Sequence, residues 1–193
     1  MPVIETPRLV LRRLTHADAP FMLDLLNQPS FIANIGDRGA RTLEQAAAYI
    51  ENGPIASYAR YGFGLYKVVV KDGGMAAGIC GLVKRDGLDD VDLGFAFLPS
   101  CWRKGYAAES ALAVKNYAAA AVGLTRLVAI TSPTNWPSIR VLEKLGFAFE
   151  KMVRLTPRDD ELKLFSFGLG PASTVRGGHD SIVNGGECPG QAD

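Results

Sequence analysis

The stretch Trp102-Arg103-Lys104-Gly105-Tyr106-Ala107-Ala108-Glu109 joins an alternating segment to a long alanine-rich one, and it constrains the fold more than any other part of the chain. Upstream, Val91, Leu93, Phe95 and Phe97 share one face at the period of two expected of a strand, which Pro99 and Ser100 end. Downstream, from about Gly105 to Val122, Ala107, Ala108, Ala111, Leu112, Val114, Ala118 and Ala121 cover most of a helical circumference. That pattern predicts a helix buried between sheet and loops. The helix starts just past a strand end, and its first amides lack intrahelical partners and carry partial positive charge, the physical basis for holding a phosphate or pyrophosphate. Gly105 lets the backbone come close, Ala107 and Ala108 keep the space clear, and Arg103 and Lys104 add charge at the rim. An ordinary strand-to-helix turn with solvated basic residues is the competing reading of these residues alone.

Other phosphate-binding patterns fit worse. No Gly-Lys-Ser/Thr string of the nucleotide P-loop occurs, and Gly62-Phe63-Gly64 lacks the third glycine of a dinucleotide fingerprint because Lys67 holds that place. A second segment follows some thirty residues on. Arg126 to Thr131 reads as a strand, and Asn135-Trp136-Pro137-Ser138-Ile139-Arg140-Val141-Leu142-Glu143-Lys144-Leu145-Gly146-Phe147 as a short helix. Asn135 is its N-cap, Pro137 sits in its first turn, and Lys144 and Gly146 mark its end.

Together these segments resemble the GNAT superfamily of N-acetyltransferases. The pyrophosphate turn matches Arg103 to Ala108, and the Asn-x-x-Ser-x-x-x-x-Glu-Lys-x-Gly-Phe helix matches Asn135 to Phe147. The RimJ/RimL-like branch is closer, through Trp102 to Glu109 and the opening Thr6-Pro7-Arg8-Leu9-Val10-Leu11-Arg12, and the likeness runs from about Glu5 to Leu169. It implies an α/β GNAT fold, a central, mixed, mostly antiparallel twisted sheet of six to seven strands flanked by helices. It also implies acetyl-CoA as co-substrate, held by Phe97, Leu98, Arg103, Lys104, Gly105, Tyr106, Ala107, Ala108, Asn135 and Ser138.

Composition agrees. The 193 residues, 48% of them hydrophobic, suffice for one domain with a proper core. A net charge of +1 gives no basic footprint for nucleic acid. No apolar run reaches membrane-spanning length and Met1 to Glu5 carries no signal-peptide pattern, so a cytoplasmic protein without a membrane partner is expected, a monomer or homodimer. Cys80, Cys101 and Cys188 lack metal spacing and read as plain thiols, and no metal is expected.

In chain order the pattern predicts a strand at about 7 to 14, a helix from Thr15 or His16 to Asn27 with Asp18 in its first turn, and a helix near Thr42 to Asn52. Strands from Gly64 to Lys71 and Met75 to Lys84 flank the turn Asp72-Gly73-Gly74. The strand, helix, strand and short helix described above follow, then strands near 148 to 155 and 161 to 169. Residues 1–169 form the domain, and 170–193, rich in glycine and poor in large apolar residues, read as a flexible tail.

Acyl transfer from a thioester to an amine needs a neutral amine, a polarised carbonyl and a proton for the departing thiolate. His16 and His179 lie far from both motifs. The resemblance implies direct attack by the amine in a ternary complex, and a general-acid tyrosine just before Glu-Lys-x-Gly-Phe, where this chain has Leu142. Ser138, one turn earlier, is the substitute expected, with a local helix-start role or solvent as the alternatives. Asp92, on the strand face opposite Val91, Leu93, Phe95 and Phe97, is the candidate base, unless it is simply solvated there. Glu109 reads as a structural carboxylate in the first helical turn. Phe31, Ile32, Tyr66 and Trp136 are candidates to line an acceptor pocket, with the loops Asn27 to Leu43 and Arg154 to Glu161 shaping it. With only a weak base, an α-amine near pKa 8 is an easier acceptor than a lysine near 10.4. The expected acceptor is a protein N-terminal α-amine. The alternatives are small-molecule amines such as an amino acid, polyamine or antibiotic, and a non-catalytic acyl-CoA sensor.

Overall fold

The structure, a computed structural model, describes residues 2–157 and 160–170. The residues read as a tail, with His179 and Cys188, lie outside the described residues except for Gly170. Strands β1 (Pro2–Glu5), β2 (Leu9–Arg13), β3 (Leu65–Val70), β4 (Ala76–Val83), β5 (Asp92–Phe97), β6 (Arg126–Thr131), β7 (Ala148–Val153) and β8 (Leu162–Gly168) form one sheet. Their order is β1-β2-β3-β4-β5-β6-β8-β7. All neighbours are antiparallel except β5 and β6. The sheet has eight strands where six to seven were expected, because residues 2–5, ahead of the strand predicted at about 7 to 14, form an additional strand, β1, paired with β2. Thr6 turns the chain between them: its amide donates to the Leu9 carbonyl (2.9 Å) and its hydroxyl accepts from the Leu9 amide (2.9 Å).

The hairpin forms where Asp72-Gly73-Gly74 predicted it. Gly73 and Gly74 take φ of 76° and 65°, a left-handed pair that glycine alone adopts freely. On the resulting β4, alternation sends Ile79 to one face and Cys80 and Leu82 to the other. Cys80 and Leu82 join the larger apolar core with Leu9, Leu11, Tyr66 and Val68, beneath helix α5 (Tyr106–Ala120). Ile79 joins a smaller core made by helices α1 (Ala19–Leu26) and α3 (Leu43–Ile50) through Met22, Leu25, Leu26, Ala46 and Ile50. Each such side chain, fully buried, contributes about 1.5–3 kcal/mol by leaving water.

Three helical expectations change. The segment 27 to 43, expected as loop, contains helix α2 (Pro29–Ile35), started by Pro29 and ended by Gly36. The helix capped by Thr42 and Gln45 does not end near Asn52 but continues through a π turn (Glu51–Ile55) into α4 (Ala56–Tyr61). The wider turn carries Pro54, which has no amide to donate. Finally, α5 buries only the stripe Ser110, Ala111, Val114 and Ala118, with Leu112 exposed; its many alanines made it look apolar all round.

Asp18, at 3% exposure, fastens α1 to the sheet. It accepts two hydrogen bonds from the Arg12 guanidinium (2.8 and 2.7 Å), one from the Lys67 ammonium (2.8 Å) and one from the Thr15 amide (2.9 Å). Burial alone would raise its pKa, but these bonds outweigh burial and hold the carboxyl well below the usual range. A depressed carboxyl adds stability above its unfolded pKa, near 4, and that stability is lost as pH falls toward the folded value. Asp18→Asn should therefore cost about 3 kcal/mol at neutral pH, and denaturant unfolding followed from about pH 6 to about pH 2 should show a shallower acid loss than the unsubstituted chain.

Candidate active site

Strands β5 and β6 pair through Asp92 and Val128 and then part. At that point the Val128 amide donates to the Val91 carbonyl (3.0 Å), and one step further the Ile130 amide donates to a side chain, Asp92 Oδ1 (3.2 Å), in place of the β5 backbone. The parting opens a cleft of about 620 Å³. Phe95, Ala96 and Phe97 of β5 form one wall, Asn135, Pro137, Ser138 and Val141 the other, and the start of α5 closes one end.

That closing turn is built for an anion. Gly105 caps α5 at φ 81°, and Arg103 takes φ 59°, the one non-glycine residue with positive φ among those described. The Arg103 conformation costs about 1–2 kcal/mol and bends the chain sharply onto the helix. The Trp102 amide donates to the Pro99 carbonyl and the Glu109 amide to the Gly105 carbonyl. Between them, the amides from Arg103 to Ala108 have no partner among the described residues. Arg103, Arg140 and Lys144 line the same cleft, and neither Asp nor Glu does.

A clamp from the far end of the sequence holds the turn. Glu109 accepts from the Thr6 hydroxyl (2.6 Å), the Arg8 amide (3.1 Å) and Arg8 Nε (2.6 Å), while Arg8 Nη1 donates to the Lys104 carbonyl (3.0 Å) and the guanidinium lies 5.0 Å from the Tyr106 ring centre. Partial burial would raise the Glu109 pKa, but Thr6 and Arg8 outweigh it and hold the group ionised. On the other wall, Asn135 Oδ1 accepts from the Ser138 amide (3.3 Å), the expected cap. The Ser138 hydroxyl lines the cleft and makes no hydrogen bond among the described residues. Leu142, where the family pattern has tyrosine, is buried in the core.

Of the residues expected at the coenzyme, Phe97, Arg103, Gly105, Tyr106, Ala107, Ala108, Asn135 and Ser138 line the cleft. Leu98 and Lys104 do not. Leu98 turns away at the strand end, its amide bonded to the Ala77 carbonyl, and Lys104 is exposed with its carbonyl held by Arg8. Asp92 is not a solvated group on a free face. It is 1% exposed, paired with Arg85 Nε at 2.5 Å, and lines neither cavity. Burial pushes its pKa up, against the pull of Arg85 and the Ile130 amide. Cys80 and Cys101 are free thiols, and burial pushes Cys80 up to about 12.

A second cavity, of about 650 Å³, lies beside the cleft, and Phe31, Ile35, Phe95 and Ala96 line both. Its remaining walls come from α2, α3, the π turn, α4 and β4. Of the aromatic and aliphatic candidates, only Phe31 is there: Tyr66 is fully buried in the core, Ile32 points away, and Trp136 is 59% exposed beneath Lys163. From Arg154 to Glu161 no described residue lines either cavity. Sequence reading named the segment 27 to 43 and Phe31 as lining but missed that the segment holds a helix, and it missed the wall of α4, which depends on the π turn.

The family model for the acetyltransferase (GNAT) domain matches residues 8–148. The chain belongs to the GNAT acetyltransferase family. It is an N-acetyltransferase, as its relatives are named. It is 28% identical over 155 residues, 79% of this chain and 86% of the other, to the uncharacterised N-acetyltransferase YoaA of Bacillus subtilis strain 168. The crystal structure of an acetyltransferase from Agrobacterium tumefaciens str. C58 is similar at 27% identity and a TM-score of 0.70, covering 86% of this chain and 94% of that one. RimL, a ribosomal alpha-N-protein acetyltransferase solved in complex with coenzyme A, shares the fold at 14% identity and a TM-score of 0.67, over 87% and 98% of the two chains. None of the described GNAT helices is long and apolar enough to cross a membrane.

Glu109→Ala removes the acceptor for the Thr6 hydroxyl and for the amide and guanidinium of Arg8. It should cost about 1–2 kcal/mol of stability and weaken acetyl-CoA binding several-fold, read by thermal melting and by quenching of Trp102, which lines the cleft.

Proposed function

We propose that the protein transfers acetyl from acetyl-CoA to a primary amine by direct attack in a ternary complex, with a protein N-terminal α-amine as the leading acceptor. The observation that supports this reading is the adjacency of the two cavities: a cleft capped by unpartnered amides shares the wall residues Phe31, Ile35, Phe95 and Ala96 with a second chamber. The amides from Arg103 to Ala108 would hold the pyrophosphate, with Arg103, Arg140 and Lys144 around it, and the apolar walls of Phe95, Phe97 and Val141 would hold the pantetheine arm.

Acetyl-CoA supplies the thioester, whose C–S bond is exchanged for a C–N bond to the amine. Ser138, a cleft-wall residue whose hydroxyl has no partner among the described residues, would give its proton to the departing sulfur and recover one from solvent. Among the described residues no Asp, Glu or His lines either cavity; in this reading the amine's proton leaves to water, and Asp92 serves as the peg that holds β5 and β6 apart rather than as a base. An α-amine, about a tenth neutral at pH 7, meets that demand; a lysine side chain does not.

The test is release of CoA thiol on peptides with free N-termini, set against polyamines, amino acids and aminoglycosides. Turnover confined to peptides supports the reading, and turnover confined to small amines overturns its acceptor. Gly105→Glu, which forces a side chain onto a φ of 81° and puts a carboxylate at the helix start, should abolish acetyl-CoA binding. Ser138→Ala should lower kcat by about 10²-fold while acetyl-CoA affinity stays within a few-fold; an unchanged kcat would assign the proton to solvent.

A further inference from the structure

The chamber beside the coenzyme cleft is unlike the rest of the surface in charge. The chain as a whole is nearly neutral, at +1. Among the described residues, the chamber's walls carry Arg38, Arg60, Lys84 and Arg85 and no carboxylate. Arg85 is neutralised from behind by Asp92. The other three are not neutralised: among the described residues Arg38 donates only to the Ile35 carbonyl (3.4 Å), Lys84 to the carbonyls of Leu88 and Asp89, and Arg60 lies 5.1 Å from the ring centre of Tyr61. None has an ion pair. They meet from three places: Arg38 from the connection between α2 and α3, Arg60 from α4, which the chain enters by continuing past Pro54 through the π turn, and Lys84 from just past the end of β4. The neutral polar side chains between them, Gln45, Asn52 and Ser57, add hydrogen-bonding capacity without charge.

We infer that the acceptor is an anionic amine: an α-amine carrying a carboxylate close to it, supplied by an acidic side chain of the peptide's first few residues. The inference rests on the reading of the protein as an acetyltransferase of α-amines and names the acceptor's chemistry. Three uncompensated cations in one concave wall attract an anion and repel a polyamine or a lysine-rich peptide. The walls therefore select the acceptor by its carboxylate, and the amine beside that carboxylate is delivered to the chamber with it.

The experiment compares hexapeptides that begin with serine and continue with aspartate and glutamate, with glycine, or with lysine, together with free aspartate. The acidic peptide should show kcat/KM about tenfold above the glycine peptide, with the lysine peptide below both. Arg60→Glu, at an exposed position, and independently Arg38→Glu should each remove that advantage, with acetyl-CoA affinity in the same samples reporting an intact fold. Turnover of free aspartate above the acidic peptide would keep the anionic chemistry and move its source to a free amino acid. Equal or better turnover of the glycine or lysine peptide overturns the inference. A binding arm separates it from the enzyme reading. The N-acetylated acidic product should bind the CoA-saturated protein more tightly than the N-acetylated lysine product by calorimetry, and Arg60→Glu should erase the difference. If that holds while no peptide is acetylated, the transfer reaction fails and the anionic chamber stands; if the two products bind alike, the chamber's assignment fails whatever the turnover.

Discussion

Everything functional in this chain depends on two parallel strands that pair and then part. A continuous ladder between β5 and β6 would fill the cleft with backbone, and a complete break would leave buried amides without acceptors at a cost of about 1–3 kcal/mol each. Asp92 resolves the conflict. Its carboxylate takes the Ile130 amide that the ladder abandons, and Arg85 pairs with the charge that burial would otherwise disfavour. Removing one member of such a buried pair costs more than the pair contributes, so the arrangement is hard to change piecemeal. It also places Arg85, fixed by Asp92, in the wall of the neighbouring chamber.

The phosphate turn depends on a second constraint, applied from outside. Left-handed backbone at Arg103 is unfavourable unless neighbouring contacts determine it, and the contacts come from the turn between β1 and β2. Thr6 and Arg8 grip Glu109, and Arg8 grips the Lys104 carbonyl, so both ends of the turn are fixed before any ligand arrives. Amides fixed in this way bind an anion without losing further backbone freedom. Glu109 thus acts on the ligand only through the shape of the turn, and its carboxylate, close to the helix start yet saturated by three donors, does not compete for the amides.

What was legible in the sequence was local. The alternation of Val91 to Phe97, the glycines of the hairpin and the cap residues Asn135 and Gly146 act over a few residues, and each of those elements formed as read. What was not legible is pairing at long range. Thr6 and Arg8 were seen as part of a strand and Glu109 as a helix-start carboxylate, yet their contact spans about a hundred residues and no window joins them. Asp92 was misplaced for a related reason. Alternation gives the face to which a side chain points but not whether that face is covered, and Arg85 on a neighbouring connection covers it. The π turn was missed because Pro54 reads as a helix stop, and a widened turn that accommodates it has no signature of its own.

The acceptor wall follows from that last element. Had the helix ended at Asn52, Arg60 would not reach the chamber that Arg38 and Lys84 line, and the charge there would be divided among separate surfaces. By continuing through Pro54 the chain concentrates three cations whose partners are carbonyls or a ring rather than carboxylates. A nearly neutral protein thereby holds a positive concavity next to its coenzyme cleft. The two cavities share this sign, which suits a polyanionic coenzyme in one and an anionic acceptor in the other. Under the proposed assignment the coenzyme's phosphates cancel the charge of the cleft, so selection of the acceptor falls to the chamber's cations alone.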